Sequence, residues 1–429
     1  MHIRYFTAVC CVLALPVGTT AQVSGYVSTG YGHNENPLYN YERLPDQINQ
    51  SYFELNSEKQ FETSMLKFGY VGGLMIFNHF TDRNYYEHSL SGNYIRTLLK
   101  NSPPVLSRES VEGDNEKSAS NEMEVRTPAD DSTNAYLNVG LKAGARHDKE
   151  AYKEFDNFGA ELSASYRFVM SDPLFTRIVN TFGYRRYAYL EELSNVTDIL
   201  NFELGNNADE AFQYGMRAAA GLKHYTSLVY DTTRFEQRRS YNPKSQGKGK
   251  PGAILKDPSS KRILISPQSN ATYQVEAGLY LGRKWTGSSL STGVTYRYNP
   301  HSTARYLAQY VSSSILSEDI YNDHFNYQGP HVQLAYRQDL PLGFMSTLTL
   351  ELQRKTFDAP AFNLDGDEIS NKRRDLRSSA EFLISRSIDL FDGASLELSL
   401  LSGLLRNQSN DDYNDFSAFS ILAALGINF

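Results

Sequence analysis

The chain has 429 residues, a formal net charge of −7 and a mean hydropathy of −0.48, with 40% apolar and 13% aromatic residues. It is longer than one ordinary soluble domain, its acidic balance gives no support to a nucleic-acid partner, and beyond the first residues no apolar run approaches the roughly 20 residues of a helical span. The same low hydropathy suits a membrane barrel, whose wall shows lipid only its alternate residues.

The opening "MHIRYFTAVCCVLALPVGTTAQ" has a basic start, a short apolar run and small residues before Gln22. This reads as a secretory signal peptide over 1–21, too short to span a bilayer. Cys10 and Cys11 are the only cysteines and lie within it. Residues 22–429 are therefore expected to carry neither disulfides nor thiolate metal sites.

Strand-like stretches follow near 23–33, 50–57, 62–79 and 86–97. Residues 100–134 are polar, charged and aperiodic, and are expected to form a disordered insertion. From 135 the alternation becomes regular. Along 135–147, apolar residues such as Leu137, Val139 and Leu141 oppose Lys142 and Arg146, and along 158–170 Phe158, Leu162 and Tyr166 oppose Glu161 and Arg167. Strands at 175–190 and 196–204 lead to 212–227, where Phe212, Tyr214 and Met216 oppose Arg217 and Lys223. Later strands set Glu276 and Lys284 (269–284), Arg297 (288–300), Arg337 (325–339), Glu351 and Lys355 (344–357) against an apolar face. Arg377 and Glu381 (374–389) and Glu397 (395–407) follow the same rule. Side chains alternate across a strand, so each segment has one greasy and one polar face. Lengths near ten or more residues match tilted membrane-crossing strands. The expected fold is all-β: a transmembrane antiparallel β-barrel of about sixteen strands, with fourteen to eighteen allowed by the boundaries.

The last strand, 416–429, ends "ILAALGINF", with Ile421, Ala423, Leu425, Ile427 and Phe429 on one parity. In this it resembles the Gram-negative outer-membrane β-barrels, whose final strand alternates apolar residues and ends on an aromatic one. The resemblance implies an outer-membrane location, a lipid surround, and recognition of this strand by the barrel-assembly machinery.

Counted back from Phe429 at the periplasmic side, the short turns "SDPL", "TGS", "PLG" and "FDGA" fall on one side, and the longer segments 228–268, 301–324 and 358–373 on the other. The segment 228–268 is strongly basic, and 301–324 places Leu307, Tyr310, Val311, Ile315 and Leu316 at near-helical spacing. The fifteen charged residues named above are expected to line a wet interior, because Lys or Arg facing mid-membrane hydrocarbon costs roughly 2–4 kcal/mol each. Their basic excess implies a mild preference for anions. The reading is a porin-like channel passing small hydrophilic solutes, without cofactor or metal. The alternatives are a non-conducting barrel serving adhesion or an envelope complex and, remotely, a lipid hydrolase. Against the hydrolase, His88 and Ser89 have opposite parity, so no local dyad forms. "NLDGDE" (363–368) has calcium-loop oxygen spacing with the glycine misplaced, and reads better as a turn.

Overall fold

In a computed structural model of the chain, the described residues are 21–37, 39, 41–100, 133–171, 173–206, 211–227, 270–301, 324–391 and 393–429. The expected signal peptide lies outside them except for Ala21, which opens the first strand. Of the insertion expected over 100–134, Lys100, Thr133 and Asn134 belong to strands, and residues 101–132 lie outside the described residues, as do the basic segment 228–268 and the helical pattern 307–316.

Alternating faces and turn-forming breaks produce β1 (Ala21–Asn34), β2 (Asp46–Gln60), β3 (Ser64–Phe77), β4 (Tyr85–Lys100), β5 (Thr133–Asp148) and β6 (Asn157–Ser171). The wall continues with β7 (Leu174–Tyr187), β8 (Asn195–Asn206), β9 (Phe212–Tyr225), β10 (Ala271–Trp285), β11 (Ser288–His301), β12 (Tyr327–Leu340) and β13 (Phe344–Phe357). A small hairpin, β14 (Ala361–Phe362) and β15 (Glu368–Ser370), interrupts it before β16 (Arg374–Phe391), β17 (Ala394–Ser409) and β18 (Phe416–Asn428). Each strand of the wall pairs antiparallel with its neighbours, and β1 pairs with β18, so sixteen strands close into a barrel. At the seam the Gly25 N–H donates to the Phe429 carbonyl at 2.7 Å and the Phe429 N–H returns to Gly25 at 3.0 Å. Closure leaves no exposed row of backbone donors and acceptors, which an open sheet in lipid could not satisfy.

Register keeps like faces together. Val294 stands opposite Leu279 on one side and Val332 on the other, and Val332 opposite Leu352. At one end of the barrel the connections are short. Gly287 and Gly393 take φ of +71° and +81° there, and Leu342–Gly343 take +66° and +73°. Tight turns use this left-handed backbone, which glycine adopts without the steric cost a side chain brings. The start of β1, the end of β18, the end of β4 and the start of β5 lie at the same end by strand order.

At the opposite end, aromatic residues at or beside strand ends are buried. Phe77, Tyr187, Phe325 and Phe357 are each at most 3% exposed. Short 3₁₀ turns, Thr81–Arg83 and Glu191–Leu193, follow two of these residues. Side chains beyond each turn bind the strand end: Asn84 Oδ1 accepts from the Phe77 N–H at 2.8 Å and Ser194 Oγ from the Tyr187 N–H at 3.0 Å. Phe155, Tyr187, Leu190 and Leu193 form one buried cluster.

Three sequence expectations need correction. β2 begins at Asp46 rather than near 50, because "DQIN" alternates in no way that marks a strand. β7 stops at Tyr187 rather than 190, where the 3₁₀ turn intervenes. The segment 358–373 is not simply loop: β14 and β15 fold back, held by Asp411 Oδ2 accepting from the Phe362 N–H at 3.0 Å.

Candidate functional site: the polar face of the wall

One parity of the wall is apolar and exposed on every side of the barrel. Leu141, Leu162, Met216, Leu279, Val294, Leu352 and Leu404 lie on it, between 42% and 66% exposed. All fifteen charged residues singled out from the sequence lie on the other parity. Their surroundings divide them.

Arg297 is the most elaborately held. Its guanidinium reaches Glu276 Oε2 at 2.7 and 3.0 Å and donates to the Tyr327 hydroxyl at 2.5 Å. Gln353 donates to the same hydroxyl at 3.0 Å, and the Lys355 ammonium sits 4.7 Å from the Tyr327 ring centre. β10, β11, β12 and β13 therefore contribute to one network. It is a charge-assisted arrangement in which the ring face takes a second cation. A second group joins β7, β8, β9 and β10. Glu203 lies 3.4 Å from Arg217 and 3.9 Å from Arg177, and Arg217 covers the Tyr280 ring at 5.1 Å. The Tyr280 hydroxyl occupies the place where side chains at Gly205 and Gly215 would stand. Sixty-one per cent of the Arg217 side chain stays exposed.

Lys142 and Glu161 stand opposite each other in register on β5 and β6. Arg167 packs 4.4 Å from the Phe175 ring, Arg337 lies 3.9 Å from Asp339, and Glu351 accepts from Ser379 at 3.4 Å. Arg377 stands opposite Gln353, Glu381 opposite Thr349, and Lys284 is exposed near a short turn. Four of the fifteen are enclosed by protein. Arg146 is 5% exposed, paired to Asp148 at 2.7 Å and stacked 3.9 Å from Tyr85. Lys223, Lys355 and Glu397 are 5%, 3% and 7% exposed.

Sequence reasoning missed residues on strands whose alternation is weak. On β2 the polar parity holds Tyr52, Glu54, Asn56 and Glu58, and Glu54 accepts from Tyr52 at 2.5 Å and Asn56 at 2.8 Å. Asn49 and Ser51 occupy the other parity there, which hid the pattern. Glu203, Arg177 and Arg185 were missed on β7 and β8. With these counted together with Asp46, Lys67, Glu87, Asp148, Asp339, Asp375 and Asp389 on the same parity, acidic and basic residues nearly balance among the described strands. On β16, β17, β18, β1 and β2 the polar parity carries Glu381, Asp389, Glu397, Glu54 and Glu58, and Arg377 is its one basic residue among the described residues. Basic residues concentrate on the contiguous arc from β5 to β12. There Asp148, Glu161, Glu203, Glu276 and Asp339 each neighbour a cation.

The expected terminal signal falls on the apolar parity. Ile421, Leu425 and Ile427 are about two-fifths exposed, Ala423 lies between them, and the Phe429 ring fills the space beside Gly25. His88 also faces the apolar side, 2.6 Å from the Tyr70 hydroxyl, whereas Ser89 is 6% exposed on the polar side. In the turn of the β14–β15 hairpin, Asn363 Oδ1 accepts from the Asp367 N–H at 2.8 Å, so these oxygens serve the turn. Among the described residues no group of three or more His, Asp or Glu is placed to hold a metal ion.

Fold and face chemistry together define a closed sixteen-stranded antiparallel barrel with an apolar exposed parity and a charged opposite one. No family model matches the chain, and no curated protein matches it. Among solved structures it is similar to OpdK of Pseudomonas aeruginosa with vanillate, at 11% identity over 95% of this chain and 99% of that one, TM-score 0.43. OccK8 (OprE) of the same organism matches at 9% identity over 95% and 98%, TM-score 0.45. OccAB3 of Acinetobacter baumannii matches at 9% over 95% and 99%, TM-score 0.44.

Proposed function

We propose that the chain is a porin-like channel of the outer membrane, passing small hydrophilic solutes through a lumen lined by the polar parity. The observation that carries this reading is the segregation of charge around a closed wall. Midway along the strands the exposed side chains on one face are mostly apolar, and Glu161, Arg217 and Lys284 remain solvent-accessible on the other. Ionised groups at mid-strand cannot face hydrocarbon, and a barrel of this strand number is wide enough to hold water rather than a packed core. The lumen then has a basic arc and an acidic arc facing each other. Such a field orients dipolar solutes and leaves net ion preference weak, in place of the anion preference expected from the basic residues alone. The C-terminal strand, with Phe429 at the seam, serves as the signal read by the barrel-assembly machinery.

Steady open channels from purified protein in a planar bilayer are the expected result, and silence at all voltages would refute a pore. Arg217→Glu should shift the reversal potential toward cations in a salt gradient. An unchanged potential would place Arg217 outside the conduction path. The second reading is a non-conducting barrel in adhesion or an envelope complex. It draws support from the buried aromatic residues at the loop end, Phe77, Tyr187, Phe325 and Phe357.

A further inference from the structure

The apolar parity changes character at the loop end of β13, β16 and β17. Below, it presents Leu350, Leu352, Phe382, Leu400 and Leu404, all exposed. Within the last few residues of the same faces stand Arg354, Arg374 and Arg406. Register arranges the three around exposed Leu376. Arg354 is directly opposite it, Arg374 is its same-face neighbour along β16, and Arg406 is diagonal to it, since Leu376 faces Gln408 and Ser378 faces Arg406. Same-face neighbours lie about 5 Å apart across a strand pair and about 7 Å along a strand. The three arginines therefore start within about 15 Å of one another, inside the combined reach of their side chains.

They also line one open groove, with Gln408 and Asn410 adding amide groups. Two carboxylates border it. Asp415 pairs with Arg406 at 2.7 Å, and Asp375 is 3% exposed, held from the other parity by Arg373. Arg354 and Arg374 are exposed, and neither has an ion-pair partner among the described residues. Among the described residues, the apolar parity of the other strand ends at this rim carries one arginine, Arg186 on β7.

We propose that this rim binds the headgroup of a lipid bearing phosphate groups. The guanidinium forks take the phosphate oxygens while Leu352, Leu376 and Leu404 lie along the acyl chains. Two features select a lipid over a soluble anion. The charges sit where an apolar face ends, and Leu376 in the groove's lining stands next above exposed Leu352 and Leu404 on that face. Arginine's planar fork matches phosphate bidentately and is weakly hydrated, which suits a site at a hydrocarbon boundary. The inference rests on the membrane-spanning reading of the barrel but not on conduction.

The test uses the full chain in detergent micelles, with diphosphoryl lipid A and its dephosphorylated form as probes and native mass spectrometry as readout. The expected result is selective retention of the phosphorylated lipid, weakened about tenfold in Arg354→Gln/Arg374→Gln/Arg406→Gln, as loss of charge-assisted contacts predicts. Arg186→Gln, a control elsewhere on the rim, should retain it as the unaltered protein does. Heat-dependent gel migration shared by all variants would show an intact barrel. Equal retention by the triple variant, or of both lipids, overturns the inference. So does complete displacement by millimolar inorganic phosphate, which would identify a soluble-anion site. A chain that stays folded and freely soluble without detergent overturns the membrane reading and this inference together.

Discussion

Replacing Arg297 by Met gives the most direct measure of how the polar face is held together. The change removes two contacts to Glu276, at 2.7 and 3.0 Å, and the donor to the Tyr327 hydroxyl. Glu276 loses its ion-pair partner, and Tyr327, 4% exposed, keeps Gln353 as its hydrogen-bond partner among the described residues. Breaking a fully buried pair costs about 3–5 kcal/mol. Here the two side chains are 18% and 26% exposed, so water reaches the stranded carboxylate and the expected cost falls to about 2–3 kcal/mol. Removing the charge from both partners, as Glu276→Gln/Arg297→Met, leaves no unpaired ion and should cost about 1 kcal/mol or less. The assay is reversible denaturant unfolding in detergent, followed through Trp285. It is the chain's single tryptophan and lies 44% exposed on the apolar parity. A single-variant cost under about 0.5 kcal/mol, or a double variant as damaged as the sum of the two singles, would refute the pairing argument.

Three further outcomes are expected. Gly205→Ala puts a methyl group 2.0 Å from the Tyr280 hydroxyl and should cost about 1–3 kcal/mol, with Tyr280→Ala in the same chain restoring most of it. Persistence of the defect in that double variant would locate the strain elsewhere. Leu342 occupies the left-handed region at φ +66° in a tight turn, so Leu342→Asn should stabilise the barrel by up to about 1 kcal/mol in the same unfolding assay. No gain would mean that the leucine's apolar contacts at the membrane edge outweigh its backbone strain. Burial raises the Asp411 carboxyl above its ordinary value of 3.8. A raised carboxylate stabilises the fold below its unfolded pKa and loses that contribution as pH rises through the folded value. Protection of the Phe362 amide, corrected for intrinsic exchange, should therefore fall from about pH 4 upward and become flat in Asp411→Asn. A rise with pH would reverse the sign and refute the burial argument.

The wall itself was legible because a strand exposed to two different media must alternate, and ten-residue alternation survives in a bare sequence. It gave all sixteen strands of the barrel, the short-turn end, and the parity of every charged residue singled out, from Lys142 to Glu397. Where both faces are polar, as at Asn49 and Ser51 beside Glu54 on β2, the pattern carried no parity, and the acidic arc went unread. Tertiary structure alone decided the rest, because these matters depend on which distant strands become neighbours. Closure brings β1 and β2 beside β18 and β17, which gathers Glu54 and Glu397 into one arc opposite the arginines of β5 to β12. Register on β13, β16 and β17 brings Arg354, Arg374 and Arg406 around Leu376, residues spread over 52 positions of sequence. It also buries Arg146, Lys223 and Lys355 against aromatic rings that the local sequence does not identify as their partners. Alternation is a local property of the backbone, whereas the partner of each charge is set by hydrogen-bond register between strands far apart in the chain.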